Sequence, residues 1–240
     1  MKSWILSCSF CFLTLLCFSQ TSEEIIRQHI DSIGGRGPWQ KLKSLRMEST
    51  LRMEGDEIQL TKNVLRPNLL RQDLHFSGRN ASYADKKYFV VLKAQEGWRM
   101  LPDTDEKVIA FSGNELATYW EELSFEDPFL QIADKDGEVL MLPNEFILGI
   151  EYYKFQLNYK SGRSEYCYLH PTTLQIFKRV FLKDGNAISV EYDRYEKQSN
   201  GMVLPREYRS ETGTTTVNRI QINPVIDKQL FDAMKIYNYH

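Results

Sequence analysis

The chain has 240 residues, of which 42% are hydrophobic and 26% are charged, and its formal net charge is −2. This composition is that of an ordinary globular protein with enough apolar residues for a sizeable core. A nucleic-acid partner is not expected, because proteins that bind nucleic acids usually present a strongly basic face.

The first residues have the layout of a secretory signal peptide. Lys2 supplies the positive start, residues 4–18 are almost wholly apolar, and small residues precede a possible cut at Gln20. The apolar run is shorter than the roughly 20 residues that span a bilayer. A retained membrane anchor and a lipid-modified Cys17 are the alternatives, and large leucines before this cysteine disfavour the second. We therefore predict a signal peptide over residues 1–19 and export to the periplasm.

The remaining chain is predicted to fold without disulfides. Cleavage removes Cys8, Cys11 and Cys17 and leaves Cys167 as a single thiol, whose ordinary role is that of a small core residue. No linker or low-complexity segment divides the chain, so residues 20–240 are predicted to form one domain.

A helix is predicted at the start of this domain. Thr21 and Glu24 have the spacing of a capping box, and Gly34-Gly35 stops the helix. The apolar positions between them recur with helical spacing and share one face, namely Ile25, Ile26, His29, Ile30 and Ile33.

Strands follow, because apolar and polar residues alternate with a period of two. The apolar positions are Leu45, Met47, Leu51 and Met53, then Ile58, Leu60 and Val64, then Leu70, Leu74 and Phe76. Residues 88–94 are apolar on both faces, which predicts a strand covered on both sides. Trp98 and Met100 are assigned to a further hairpin.

The periodicity becomes helical in the middle of the chain. Ser112 and Glu115 form a second capping box, and residues 124–127 offer a third cap. The apolar positions behind them predict two short amphipathic helices: Leu116, Tyr119, Trp120 and Leu123, then Phe129, Leu130 and Ile132.

From residue 146 to residue 222 the pattern returns to strands separated by short turns. Turn signals recur at 161–162, 184–186, 199–201 and 212–213, and this regular spacing is typical of an antiparallel meander. The predicted fold class is mainly β with a few helices (α+β), in one antiparallel sheet.

The sequence contains few signs of catalysis. There is no G-x-S-x-G motif, and His29, His75, His170 and His240 lack the spacing of a metal site, so surface or half-buried packing is expected of them. We predict a non-enzymatic protein without cofactor or metal. A hydrolase stays as the last alternative, because two carboxylates of a glycosidase pair need only meet in space.

Apolar surface is the stronger signal. A large sheet with few helices leaves a face that the middle helices would cover, either as plain core or as a lid over a ligand. The residues predicted to line such a ligand site are Met47, Leu51, Met53, Leu60, Leu70, Phe76, Trp98 and Met100 from strands, and Leu116, Tyr119, Trp120, Phe125 and Phe129 from the middle segment.

Several segments, in this order, resemble the LolA-like, outer-membrane lipoprotein-sorting proteins. They are residues 24–35 and 42–47 near the start, Gly97-Trp98, the Ser112 cap and residues 127–130 in the middle, and residues 195–205 and 222–231 near the end. The resemblance covers nearly the whole predicted mature chain.

The resemblance implies an incomplete antiparallel barrel, with the N-terminal helix and the middle helices closing its concave side over an apolar cavity. It also implies a carrier of lipids or acylated lipoproteins in the periplasm, with acyl chains as ligands and transient membrane contact. The alternative is an envelope sensor or structural domain of the same fold that acts through a protein partner. In the family a strand arginine ties the lid shut, and Arg46, Arg52, Arg66 and Arg71 are the candidates here.

Overall fold

The computed structural model describes residues 21–78, 87–104, 107–134, 137–183 and 186–232. The predicted signal peptide, His240 and the first two residues of the 184–186 turn lie outside the described residues. Within them, strands dominate and four α-helices are present: α1 Ser22–Ser32, α2 Arg36–Gln40, α3 Gly113–Leu123 and α4 Pro128–Asp134.

The helix caps follow from local sequence. The Thr21 side chain accepts a hydrogen bond from the Glu24 backbone N–H, and Ser112 and Glu115 form a reciprocal capping box at the start of α3. At α4 the cap is Asp127, whose carboxylate accepts from the backbone N–H groups of Phe129 and Leu130. The predicted positions of α1, α3 and α4 are therefore confirmed.

The strands are two to ten residues long. They are β1 Ser44–Met53, β2 Asp56–Leu65, β3 Leu69–Gly78, β4 Lys87–Leu92, β5 Gly97–Met100, β6 Ile109–Ala110, β7 Glu138–Ile147, β8 Ile150–Asn158, β9 Ser164–Leu169, β10 Ile176–Lys183, β11 Asn186–Asp193, β12 Glu196–Lys197, β13 Val203–Leu204, β14 Glu207–Ser210 and β15 Gly213–Ile222.

In the described part of the chain, 13 strands form one antiparallel sheet in the order β6-β5-β4-β3-β2-β1-β15-β14-β11-β10-β9-β8-β7. Two meanders are thus joined at the centre by the first and last strands, with Leu45 opposite Ile222. The edge strands β6 and β7 do not pair with each other among the described residues, so the sheet is an incomplete barrel. The predicted fold class is confirmed.

All four helices lie on one face of the sheet, which we call the concave face. Ile30 of α1, Leu116 of α3 and Leu130 of α4 pack with Leu45 and Val64 of the first meander in one buried cluster. A second cluster joins α1 and α4 to β8 and β9 of the other meander. We call α3, α4 and their connection, residues 113–134, the lid.

The opposite, convex face is covered only in part. Phe89 and Val91 of β4 are buried there beneath Phe231, which belongs to a short 3₁₀ helix, Lys228–Phe231. Val90 and Leu92 of the same strand are buried on the concave face. The prediction of a strand covered on both sides is therefore confirmed.

Candidate ligand cavity

A cavity of about 290 Å³ lies between the lid and the concave face, at the centre of the sheet. Met47 and Leu60 line it from the first meander, Phe181 and Val190 from the second, and Phe125 from the lid. The volume is at the lower end of the roughly 300–1,000 Å³ found for ligand sites. The cavity is therefore small for a ligand site.

Three of the predicted site residues line this cavity: Met47, Leu60 and Phe125. Four others, Leu70, Leu116, Tyr119 and Trp120, belong to the cluster in which the lid packs against the first meander. The Trp120 indole N–H donates to the Lys93 carbonyl at 3.2 Å, which fixes α3 beside the β4–β5 turn.

Phe129 is only 1% exposed and packs in the second cluster, with its ring edge-on to Phe155 at a centroid distance of 5.4 Å. Leu51, Met53 and Phe76 lie on the concave face but outside the cavity lining. Phe76 packs edge-on against Tyr88, with centroids 5.2 Å apart.

Trp98 and Met100 do not reach the cavity, which corrects their predicted placement. In the β4–β5 register Trp98 lies opposite Val91 and Met100 opposite Phe89, so both side chains share the convex face. There they pack against the cluster that Phe231 covers. The physical reason is that β4 is apolar on both faces. Its sequence therefore does not indicate whether Trp98 and Met100 of the neighbouring β5 lie on the concave or the convex face.

Two cationic side chains bind the lid: Lys62 of β2, and Arg66, which directly follows β2. Lys62 donates from Nζ to the Leu123 carbonyl at the C-terminal end of α3, at 3.0 Å, and burial lowers its pKa to about 8. Arg66 donates to the Trp39 carbonyl at 2.8 Å and to the Glu126 carboxylate. These bonds connect the lid to the sheet at its centre.

Of the four candidate arginines, Arg66 is the one that contacts the lid. Arg46 pairs with Glu48 at 3.1 Å, and Arg52 pairs with Glu57 at the same distance. Arg71 is bound to Asp73 and donates to the Leu230 carbonyl at 2.8 Å. Arg46, Arg52 and Arg71 therefore lie on the convex face, away from the lid.

The lid is also bound to α1 through His29, which is fully buried. His29 Nε2 lies 3.0 Å from Asp127 Oδ2, and Nδ1 lies 2.7 Å from the Leu174 carbonyl oxygen. The expectation of surface or half-buried packing is wrong for this histidine. Its position on the apolar face of the predicted helix was the available sign of burial.

A buried polar cluster lies beside the cavity on β8–β10 and was not predicted. It consists of Tyr159, Arg163, Glu165 and Arg179, and the Glu165 side chain has no exposure. Burial and the neighbouring Glu165 carboxylate raise the pKa of Tyr159, so its phenol stays protonated and donates to Glu165 at 2.6 Å. Arg163 and Arg179 both line the cavity.

Glu165 is the one charged residue of β9 and lies close to the 161–162 turn, where a charge is ordinarily solvated, so the cluster was not predicted. One sign was available in the sequence: residues two apart in a strand point to the same face, so Glu165 lies on the same face as the apolar Cys167 and Leu169, and Arg163 precedes it by two. The structure buries Cys167 and Leu169. Among the described residues no group of three or more His, Cys, Asp or Glu side chains has the arrangement of a metal site. No described helix is long and apolar enough to cross a membrane.

Searches against protein-family models and against curated proteins found no match. Solved structures, by contrast, match over most of the chain. A domain named for outer membrane lipoprotein sorting, from Vibrio parahaemolyticus, is 14% identical with a TM-score of 0.53, over 89% of this chain and 96% of that one.

Two further structures agree with this match. A LolA superfamily protein from Nitrosomonas europaea is 14% identical with a TM-score of 0.55, over 88% of this chain and 97% of that one. A DUF1329 family protein from Desulfovibrio piger is also 14% identical, with a TM-score of 0.56, over 89% of this chain and 98% of that one. This chain therefore shares its fold with these structures along nearly their whole length, and one of them is a LolA superfamily protein.

Proposed function

We propose that this protein is a non-enzymatic periplasmic carrier that binds a lipid or the acyl chains of a lipoprotein in the cavity beneath its lid. The observation that supports the proposal is the cavity itself, which lies between the largely apolar concave face and a lid bound partly by hydrogen bonds from Lys62 and Arg66. The lipoprotein-sorting name of a protein with the same fold is consistent with it.

The cost of exposing an acyl chain to water explains why a carrier needs a cavity that can open and close. Exposing an acyl chain to water costs about 0.8 kcal/mol per CH₂, so a chain of roughly fifteen methylenes carries about 12 kcal/mol. A carrier must bury this surface and later release it. The lid is attached by apolar packing and by hydrogen bonds, and the hydrogen-bonded part costs less to separate, because water replaces the lost hydrogen bonds.

Loading from a bilayer also needs a surface that touches the bilayer. The turn between β7 and β8 carries Phe146, which is 72% exposed, and Leu148, which is 97% exposed. We call residues 146–150 the hairpin tip. Exposed aromatic and aliphatic side chains at the end of a protruding hairpin suit shallow insertion into a membrane interface. We assign the transient membrane contact to this tip.

A neutral apolar fluorophore, N-phenyl-1-naphthylamine, tests the proposal directly. The wild-type protein should enhance its fluorescence saturably, and Leu60→Asp should abolish this, because a carboxylate in the cavity wall must be desolvated. Leu182→Asp is the matched control, since Leu182 is 69% exposed. If the folded wild-type protein binds no apolar probe, or if both variants bind it equally, the carrier proposal is wrong.

A further inference from the structure

Two exposed lysines lie where α2 leads into β1. Lys41 and Lys43 are exposed on either side of the buried Leu42, and no acidic residue occurs in residues 36–44. Among the described residues neither lysine forms an ion pair. The whole chain has a formal net charge of −2, so this concentration of positive charge is local.

The segment that follows β15 packs against these lysines. The Asn223 side chain accepts hydrogen bonds from the backbone N–H groups of Lys43 and Ser44, at 2.7 and 3.2 Å. The Ser44 hydroxyl donates in turn to the Pro224 carbonyl at 2.6 Å. These bonds fix residues 223 and 224 beside Lys43, so the two segments form one surface.

An exposed apolar side chain and a third lysine extend this surface. Val225 is fully exposed, and Lys228 is exposed and forms no ion pair within the described part of the chain. We call residues 41–43 and 223–228 the basic corner. Its three lysines stand against one carboxylate, that of Asp227, which caps the 3₁₀ helix. The basic corner therefore carries a net positive charge beside an exposed apolar side chain.

The basic corner lies on the same rim of the half-barrel as the hairpin tip. In the sheet, each strand is antiparallel to the next from β1 through β15, β14, β11, β10, β9 and β8 to β7. The start of β1 and the turn between β7 and β8 are therefore at the same end of the strands. A bilayer is wide enough to meet both sites at once.

A small pocket of about 60 Å³ connects the basic corner with the surroundings of the ligand cavity. The exposed Arg36 and Gln40 line it, and Gln40 directly precedes Lys41. Trp39 and Glu126 line both this pocket and the ligand cavity. The basic corner therefore adjoins the wall of the cavity in which the ligand is proposed to bind.

We propose that the basic corner docks the protein on an anionic phospholipid bilayer, with Lys41, Lys43 and Lys228 at the lipid head groups. Each lysine near an anionic membrane surface raises the affinity about fivefold. The apolar side chains on the same rim favour a bilayer over an acidic protein, because the membrane interface takes up apolar side chains and attracts cations together. This inference rests on the carrier function proposed above and adds the charge of the membrane that the carrier visits.

Co-sedimentation tests the proposal with vesicles of phosphatidylcholine and with vesicles of an equimolar mixture of phosphatidylcholine and phosphatidylglycerol. At low ionic strength the wild-type protein should bind the anionic vesicles at least about tenfold more tightly. The preference should disappear at about 1 M salt, where the Debye length falls to about 3 Å. Equal binding to both vesicles at low salt would overturn the proposal in favour of an acidic protein partner. A preference that survives high salt would also overturn it.

Variants assign the preference to the basic corner. Lys41→Gln/Lys43→Gln should lower the affinity for anionic vesicles about tenfold or more and leave binding to neutral vesicles unchanged. The backbone bond to Asn223 is kept, so the fold should stay intact. The matched control is Arg52→Gln/Lys107→Gln, which removes the same charge from exposed positions near the end of β1 and before β6. An equal loss in the two double variants, or no loss in the first, would contradict the assignment.

Probe titration separates this proposal from the carrier function. Lys41→Gln/Lys43→Gln should bind N-phenyl-1-naphthylamine as tightly as the wild type, because neither lysine lines the cavity. Normal probe binding together with unchanged binding to anionic vesicles would overturn the docking surface alone. A wild-type protein that prefers anionic vesicles but binds no probe would overturn the carrier function and leave the docking surface standing.

Discussion

The side chains of His29 and Asp127 form a buried pair that joins α1 to the lid, with Nε2 and Oδ2 3.0 Å apart. The other ring nitrogen of His29 faces the Leu174 carbonyl, which only accepts hydrogen bonds. Since both partners are acceptors, the imidazolium form satisfies both contacts while Asp127 is ionised.

This arrangement predicts a stability that falls as the pH rises. Burial opposes protonation of His29, but the Asp127 carboxylate and the Leu174 carbonyl raise its pKa above the ordinary value. The stabilisation is therefore complete below about pH 6.5, the pKa of an unfolded histidine, and is lost as the pH rises through the folded pKa. The slope is at most about 1.4 kcal/mol per pH unit.

Urea unfolding of the wild type and of His29→Gln across this pH range measures the effect. The difference in unfolding free energy between the two proteins should shrink as the pH increases. Asp127→Asn should remove most of the pH dependence while keeping a polar cap for α4. Parallel curves for the wild type and His29→Gln would show that His29 is not protonated in the folded protein.

Replacing Lys62 by Met should loosen the lid without unfolding the protein. The variant loses the bond from Nζ to the Leu123 carbonyl, which is worth about 1 kcal/mol, while the apolar side chain avoids the cost of burying a charge. Hydrogen exchange of amides in the last turn of α3 should become about fivefold faster.

Lys154→Met is the control for this measurement. Lys154 pairs with Glu145 at 2.7 Å on β7–β8, outside the lid. Equal exchange in α3 for the wild type and Lys62→Met would mean that Lys62 does not hold the lid.

Leu148→Asp should weaken binding to lipid vesicles without affecting stability. Burying a leucine in an apolar phase is worth about 1.5–3 kcal/mol, so its loss should lower the vesicle-bound fraction about tenfold or more in co-sedimentation. Because Leu148 is 97% exposed, the free energy of unfolding should change by less than about 0.5 kcal/mol. If Leu182→Asp, on another hairpin, has the same effect, the hairpin tip is not the contact.

Substitution of the two lid phenylalanines, Phe125 and Phe129, should affect stability and probe binding differently. Phe129→Ala should destabilise the protein by about 3–5 kcal/mol, because it empties a site that is 1% exposed. Phe125→Ala should cost less, because that ring is only partly buried and lines the cavity, and it should weaken probe binding instead. Urea unfolding and probe titration of both variants check this, and similar profiles for the two would contradict it.

Local chemistry allowed the helices and most strands to be predicted. The caps at Thr21 and Ser112 depend on residues a few positions apart, so the sequence contains the whole signal. The segments that carry the family resemblance make close contacts between parts of the chain that are far apart in the sequence. A Cβ at Gly34 would lie 2.2 Å from the Gly201 carbonyl oxygen, and the Asn223 side chain accepts from the backbone N–H of Lys43 at 2.7 Å.

The site was harder to predict, because it depends on which face each strand presents and on contacts between distant strands. Met47 and Leu60 line the cavity, and alternation in clearly amphipathic strands was enough to predict the face on which they lie. Trp98 was misplaced because the neighbouring strand is apolar on both faces. Glu165 and Arg179 were missed because their ion pair spans two strands, and each residue alone looks like a solvated charge.

The pairing of β1 with β15 has a consequence for how the chain reaches its folded state. Strand β1 lies near the start of the described chain and β15 near its end, yet Leu45 and Ile222 are neighbours at the centre of the sheet. A chain that is synthesised from its N-terminus exposes one edge of β1 until almost all of the protein has followed. Contacts so distant in sequence slow folding and leave unpaired strands open to aggregation. The first meander therefore cannot complete its pairing at β1 before the second meander has been made as far as β15.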